Sequence, residues 1–473
     1  MRTSEGWGEG LEGEYEGAAL GDVRLGRRLV RIALQAATGP ESSFPATADS
    51  DSELEGTYRF LSNERVTASE ILSPHIRQTV RRAAKVGGNV VIAHDTTEFN
   101  FGQTGRHDLG RVGQGKSFGF YGHFSLAVSR DEERRPLGVV GIAIHERSGD
   151  KGVRNNMTKQ LDPGNEGLRW GRSVAHGATV LPNAIHVMDR EADSYALMAE
   201  LSNAGRRFVV RMAQARRKLA SGDGLNVGET VIRAKAVATR EVPICARKPS
   251  KMPSYRKHHP PRGGRLAKLE VSCTAVVLIR PESSSLSPAK ELALNVVRVF
   301  EPNPPAGEPP VEWRLWTTEP VETPEQVLAV VDAYRCRWVI EEYFKALKTG
   351  CAIEKRQLET THALVNTVAL FAAIAWRLLL LRTLAHQAPA TSASAVLSEA
   401  QVACLDFLLR RRKRPALPPS PTVADALLGI AAIGGHLRSN GLPGWAVIGR
   451  GYDQLLLMQL GYEAATQQRS DQS

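Results

Sequence analysis

Asn89-Val90-Val91-Ile92-Ala93-His94-Asp95 is a short apolar run that stops on a carboxylate. Its length and β-branched content predict a buried strand rather than a helix. Two more runs follow in series, His123 to Ser129 and Leu137 to His145. A fourth, Ala184 to Asp189, again ends on a carboxylate. Lys151 to Gly177 is polar and expected to be helical, Ala192 to Ala204 has helical spacing, and Arg207 to Arg211 is strand-like. Strands with helices between them predict an α/β sheet covered on both faces.

On the N-terminal side of this centre, the chain up to about Glu70 reads as helical. Leu20 to Leu34 sets apolar residues at helical spacing among Arg24, Arg27, Arg28 and Arg31, and Glu53 to Leu61 forms a second segment. Small basic helices ahead of a catalytic body suit a DNA-binding module, and equally a helical cap with a solvated arginine face. On the C-terminal side, Leu269 to Ile279 and Leu292 to Phe300 are strand-like, and Lys251 to Lys268 is a Pro-, Gly- and base-rich loop. A β-rich insertion is therefore expected at about 212–311. Thr323-Pro324-Glu325-Gln326 is a capping box with Pro at the first helical position, and it starts a helix expected to run through Tyr334 to Lys348. After Gly350 the chain is mostly helical. Its most apolar stretch, Thr367 to Leu381, is broken by Arg377, is too short to span a bilayer and reads as a buried helix.

A chain of 473 residues allows two or three domains. Lys and Arg number 61 against 50 Asp and Glu, and the resulting charge of +11 favours a polyanionic partner. The five cysteines are scattered with no Cys-x-x-Cys, which argues against a disulfide framework or a zinc site and suits a reducing cytoplasm. No apolar signal core stands at the N-terminus.

Three carboxylates carry the chemical reading: Asp95 and Asp189 at strand ends, and Glu341 on a helix. At about 100° per residue, Tyr334, Arg337, Glu341 and Lys348 point within roughly 60° of one another. A phenol, a guanidinium, a carboxylate and an ammonium on one face suit a site that holds a metal and a phosphodiester together. Mg²⁺ takes oxygen ligands, and two such ions serve strand cleavage. Each residue alone also reads as a turn, a cap or a surface pair, and Glu98, Glu191, Asp193 and Glu342 lie close by as competitors. Gly110 to Ser117 satisfies a phosphate-loop pattern, but no apolar strand precedes it and an aromatic, strand-like stretch follows, so ATP is not expected. His94 and His123 read as core or rim histidines, and Cys336 as packing.

Asp95-Thr96-Thr97, Asp189-Arg190-Glu191-Ala192-Asp193 and Tyr334-x-x-Arg337-x-x-x-Glu341-x-x-x-x-x-x-Lys348 resemble the DDE transposases of bacterial insertion sequences, specifically the insertion-sequence-four group. The resemblance runs through nearly the whole chain, including Gly56-Thr57-Tyr58-Arg59-Phe60, Arg207 to Arg211, Trp316 to Val321 and Ala346 to Gly350.

The resemblance implies a ribonuclease H-like catalytic core with a β-rich insertion (70–370), an N-terminal helical DNA-binding domain (1–69) and a C-terminal helical dimerisation domain (371–473). It implies two Mg²⁺ or Mn²⁺ ions held by Asp95, Asp189 and Glu341. It implies cut-and-paste transposition through a DNA hairpin, on double-stranded inverted-repeat ends and target DNA, without ATP or a membrane. In that pattern Tyr334, Arg337 and Lys348 contact phosphates, Trp313 stacks on a flipped base, Arg211 lies near DNA, and Arg28 and Arg59 belong to the end-recognition helices. A homodimer forms on DNA through the C-terminal helices, including Trp445 to Leu457, and the protein works in the bacterial cytoplasm on the nucleoid. Gly56 stands where relatives have an internal start, with no Met nearby, so a shortened inhibitor is not implied. A bare metal nuclease and an idle DNA-binding protein are the other readings. The terminal modules argue against the first, and the intact carboxylates argue against the second.

Overall fold

The computed structural model describes residues 11–103, 108–147, 162, 165–221, 224–244, 246–247, 249, 260–284, 287, 289–437, 439 and 441–470. In chain order the helices are α1 (Val23–Thr38), α2 (Phe44–Thr47), α3 (Asp51–Ser62), α4 (Ala68–Lys85), α5 (Leu168–Val180), α6 (Tyr195–Asn203), α7 (Val227–Arg233), α8 (Pro324–Arg335), α9 (Trp338–Lys345), α10 (Thr361–Gln387), α11 (Glu399–Arg411), α12 (Val423–Ile433) and α13 (Trp445–Ser470). The strands are β1 (Val90–Asn100), β2 (Gly110–Val112), β3 (Ser117–Ser129), β4 (Pro136–His145), β5 (Ile185–Met188), β6 (Phe208–Arg211), β7 (Ala236–Ile244), β8 (Arg265–Ile279), β9 (Glu291–Phe300) and β10 (Glu312–Thr317). The chain forms two compact units. The first is Met1–Gly152, Ala175–Ala184 and Trp338–Ser473; the second is Val153–Val174 and Ile185–Arg337.

In the first unit β1 pairs antiparallel with β3 from Val90 opposite Ser129 to Asn100 opposite Gly119. β3 pairs antiparallel with β4 and β2 as well. The Gly-rich stretch 110–117 is β2, a 3₁₀ turn and the first residue of β3. A strand follows Lys116 where a phosphate loop needs a helix, which agrees with rejecting that motif. Ala83, Val90, Ile92, Ala127, Leu137 and Val140 form the core under this sheet.

α10 is longer than its apolar stretch foretold, 27 residues from a Thr360 cap. By length and composition alone it could cross a bilayer, but 89% of its most apolar window is buried inside the unit. α1, α3, α4, β4 and α12 pack around it, and the Trp376 indole donates to Pro136 O at 2.9 Å. α1 also packs on α13. The sequence-based divisions at 69/70 and 370/371 therefore fall inside one unit. Gly434 and Gly451 let α12 and α13 approach backbone to backbone, because a Cβ on either would land on a carbonyl oxygen, that of Val447 or Ile430.

A buried ion network ties the N-terminal segment to α4. Glu14, His75 and Arg82 are each less than 7% exposed. His75 Nδ1 lies 2.6 Å from Glu14 Oε2, while its Nε2 accepts the Val139 N–H at 3.0 Å, which fixes a neutral tautomer. Arg82 donates to Glu14 Oε1 at 2.6 Å and stacks over Trp376 at 3.9 Å. Burial alone would raise the Glu14 pKa, but the hydrogen bonds from His75 and Arg82, with the Arg82 charge, override it and bring it down to about 2.

In the second unit β5 runs parallel to β6, with His186 opposite Phe208. The remaining pairs, β6–β10, β10–β9, β9–β8 and β8–β7, are antiparallel. β7, β8 and β9 thus lie in the stretch expected to be β-rich, and they reach β6 through β10. Met188, Met198, Phe208, Val210, Val296 and Trp316 anchor the core. α8 starts on the foretold Thr323–Gln326 capping box. Residues 151–161 and 251–259, parts of the expected polar helix and basic loop, lie outside the described residues; α5 begins at Leu168.

Candidate functional site

β1 is fully buried from Val90 to His94 and turns half-buried at Asp95. The β-branched run supplies the buried part, and the carboxylate stands where the strand emerges. Asp95 Oδ1 accepts the Thr96 N–H at 2.8 Å. The flanking histidines are engaged with hydroxyls, His94 Nδ1 with Ser125 at 3.0 Å and His123 Nδ1 with Thr96 at 2.8 Å, as their core reading foretold. α9 lies against β1. It is seated on the sheet by Tyr343 and Phe344, whose rings meet Phe124 of the neighbouring β3 at 5.7 and 5.5 Å. Glu341, half-buried, sits in the first turn of α9, where the helix dipole favours a carboxylate.

The single helix expected from Tyr334 to Lys348 is not continuous. α8 ends at Arg335, Cys336 and Arg337 form a turn, α9 starts at Trp338, and residues 346–350 form a π-turn. The apolar pattern explains the break. Val327, Val330, Val331 and Tyr334 form one buried stripe, whereas Ile340, Tyr343, Phe344 and Leu347 form another. Extended at 3.6 residues per turn, the first stripe would reach about 338 and 341, so the second is rotated from it by roughly 140°. One straight helix cannot bury both. The four-residue face read from a straight helix is therefore corrected: Tyr334 and Arg337 belong to the second unit, Glu341 and Lys348 to the first.

The second unit gathers four of the foretold DNA-contacting residues from three separate segments. Arg211 ends β6, directly opposite Leu315 of β10. Trp313, on β10, meets the Tyr334 ring edge-on at 5.7 Å. The Tyr334 hydroxyl is fully buried beside the guanidinium groups of Arg211 and Arg337 and makes no hydrogen bond of good geometry among the described residues. Burial raises its pKa, and the two arginines oppose that rise. The group holds two guanidinium charges, a phenol and a half-buried indole face.

Asp189 stands at the end of β5, half-buried, and its Oδ1 accepts the Glu191 N–H at 2.8 Å, capping a short 3₁₀ turn. Two of its sequence competitors have other work. Glu191 pairs with Arg169 at 2.5 Å. Asp193 is buried and accepts the Ala213 and Gln214 N–H groups at 2.6 and 2.8 Å and Arg217 at 2.7 Å. It thereby shapes the turn that follows Arg211. Sequence reading missed this role because its partners lie some twenty residues downstream and two are backbone groups.

Residues 7–66 match the family model of transposase DNA-binding domains, and residues 170–377 match that of transposase DDE domains. Its two domains are those of a DDE transposase. The second match includes Asp189, Arg211, Trp313, Tyr334, Arg337, Glu341 and Lys348, and begins after Asp95. Such a domain belongs to metal-dependent, DNA-cleaving enzymes. Among solved structures, the chain has a TM-score of 0.33 and 8% identity to the piggyBac transposase in a synaptic complex with hairpin DNA. The match covers 75% of this chain and 65% of that one, so the chain spans less than two thirds of that relative.

Within the transposase DNA-binding domain, α1 and α3 present Arg28 and Arg59. Arg28 bonds Glu53 at 3.1 Å, and its guanidinium packs over Gly56, where a Cβ would collide with it. Arg59 pairs with Glu55 and is exposed. Arg31 joins Glu53 at 3.2 Å.

For a metal, the donors offered are hard oxygens. Asp95 and Glu341 come from packed elements of one unit, their histidine neighbours are committed to hydroxyls, and Asp189 is the corresponding strand-end carboxylate of the other unit. That donor chemistry fits Mg²⁺ or Mn²⁺. Among the described residues, no three His, Cys, Asp or Glu lie close enough together to hold an ion.

Proposed function

We propose that this protein is a cut-and-paste DNA transposase of the insertion-sequence-four group, similar to the transposase of transposon five. It binds the inverted-repeat ends of its element, nicks them, excises the element through a DNA hairpin and joins the 3′ ends to target DNA. The observation that carries this reading is the Arg211–Trp313–Tyr334–Arg337 cluster, within a chain that has transposase DNA-binding and DDE domains. Two guanidinium groups and a phenol suit phosphate oxygens, and a half-buried indole suits an unstacked base.

In this reading Asp95, Asp189 and Glu341 would hold a pair of divalent ions, Mg²⁺ or Mn²⁺, once brought within reach of one another. When bound, the ions supply an activated water and charge neutralisation at phosphorus. Arg337 and Tyr334, both buried in the DNA-free protein, would have to be uncovered on DNA binding to grip the phosphates beside the cut; Arg211 adds charge, and Lys348 holds a further phosphate. Hydrolysis breaks the P–O3′ bond at the element's end. The released 3′-hydroxyl attacks the opposite strand and closes a hairpin, which Trp313 favours by stacking on the base turned out of the duplex. A second hydrolysis opens the hairpin and regenerates the 3′-hydroxyl that joins target DNA; hairpin closure and joining each swap one phosphodiester for another, and no step needs a nucleotide cofactor.

Arg28 and Arg59 approach the end DNA from α1 and α3. Two copies assemble on DNA through the C-terminal helices. Trp445, Ile448, Tyr452 and Leu455 of α13 are buried within their own unit, while Leu457 and Tyr462 are more than half exposed and supply an outward apolar edge. The site of action is the bacterial cytoplasm, on the nucleoid.

The test is nicking of labelled DNA that carries the inverted repeats flanking the gene, with Mg²⁺ or with chelator. Specific nicking that needs the ion supports the reading; equal cleavage in both tubes rejects it.

A further inference from the structure

Lys348 is held in place by the residues around it, although it lies on the π-turn rather than on a straight helix. Its ammonium donates to the backbone carbonyl of Glu98, lies 3.2 Å from Glu354 Oε1 and stands 5.6 Å from the Phe99 ring. The same Glu354 oxygen accepts the Asn100 N–H at 2.9 Å. One carboxylate thus touches both the lysine and the end of β1, the strand that carries Asp95. The backbone is bent to bring it there. Ala352 adopts a left-handed conformation, φ 47°, at the start of the 3₁₀ turn Ile353–Lys355. That conformation disfavours a residue with a Cβ and persists only when the surroundings demand it. The Glu98 side chain does not compete for the lysine, because its Oε2 accepts the Gly113 N–H at 3.0 Å.

We propose that Glu354 is a positioning residue for strand cleavage: it fixes the Lys348 ammonium against the end of β1, at a set distance along the strand from Asp95. The proposal rests on the reading of Lys348 as a phosphate contact. Glu354 does not bind DNA. Its negative charge weakens the pull of Lys348 on phosphate while fixing the ammonium's place. Removing that charge should therefore leave DNA affinity unchanged or tighter, and slow the chemical step.

The experiment compares wild type, Glu354→Gln, Lys348→Ala, the double variant and Asp95→Ala on labelled end DNA, measuring binding and single-turnover nicking at saturating DNA. Glu354→Gln keeps an acceptor for the Asn100 N–H and loses the charge. The expected result is nicking about fivefold slower with affinity equal to or above wild type. In the Lys348→Ala background the same change should have no further effect, since the carboxylate acts through the ammonium. Glu354→Asp should recover part of the rate. Thermal unfolding checks that the Gln variant is folded. Parallel loss of binding and nicking, or multiplied losses in the double variant, overturns the positioning role. Wild-type nicking by Asp95→Ala overturns the cleavage reading itself. Loss with Asp95→Ala and Lys348→Ala but normal nicking by Glu354→Gln overturns only the present proposal.

Discussion

Trp313 and Tyr334 meet ring edge to ring face, with centroids 5.7 Å apart and planes at 62°. A strand carries one and a helix end the other, so the indole plane is set by tertiary packing rather than by its own strand. A fixed, half-buried indole loses little freedom when a base stacks on it.

Trp313→Ala should therefore slow hairpin formation about tenfold more than the first nick, in line with the stacking energy of about 1–3 kcal/mol per base. Gel separation of nicked and hairpin products over time checks this. An equal loss at both steps would reject the stacking role.

Asp95→Ala, Asp189→Ala and Glu341→Ala should each abolish nicking while leaving end-DNA binding within about twofold, because phosphate and base contacts supply the affinity. Band shift and nicking on the same DNA measure both. Normal cutting by the Asp189 variant would show that the ligand assignment is wrong.

How far the sequence foretold the structure depended on whether a feature is local. The strand ending at Asp95 was legible because a β-branched apolar run needs no distant information. The Thr323 capping box was legible for the same reason. The break at Cys336–Arg337 is not legible from helical angles alone; it shows only in the slip of the apolar stripe between Tyr334 and Ile340, which one straight helix cannot bury. Asp193 and Glu354 were invisible as well. Each works by bonding backbone N–H groups of segments far away in sequence, and backbone groups leave no signature in residue identity.

Glu14 gives an acid dependence. Its carboxyl is held at about 2 instead of 4.5, so its contribution to stability is complete above 4.5 and is lost as the pH falls toward 2. His75 acts in the same direction: burial lowers its pKa despite Glu14, and protonation in acid then opposes folding. Glu14→Gln should cost about 3 kcal/mol at pH 7, as expected when one partner of a buried ion pair is removed. The deficit should shrink as the pH is lowered. Unfolding curves at pH 7 and pH 3 decide it, and a deficit of equal size at both would be contrary evidence.

Asp453 on α13 points the other way. Burial, with help from Glu41 and against the pull of Arg356, raises its pKa from 3.8 to about 8. Its Oδ1 is buried and has no hydrogen-bond partner among the described residues. The protonated form is favoured in the fold, so stability is full below 3.8 and declines as the pH rises toward 8. Asp453→Asn should match wild type near pH 4 and unfold at a higher temperature by pH 8. A constant difference across that range would show that the titration plays no part.

The Glu14–His75–Arg82 network has a consequence for any product translated from a later start. Such a protein would retain α4 without the carboxylate that neutralises it. A guanidinium would then be stranded against Trp376 in a hydrocarbon setting, and the side of α10 that α1 and α3 cover would face water. Loss of the leading segment would therefore leave a buried cation without its counter-charge and an apolar helix face uncovered in what remains.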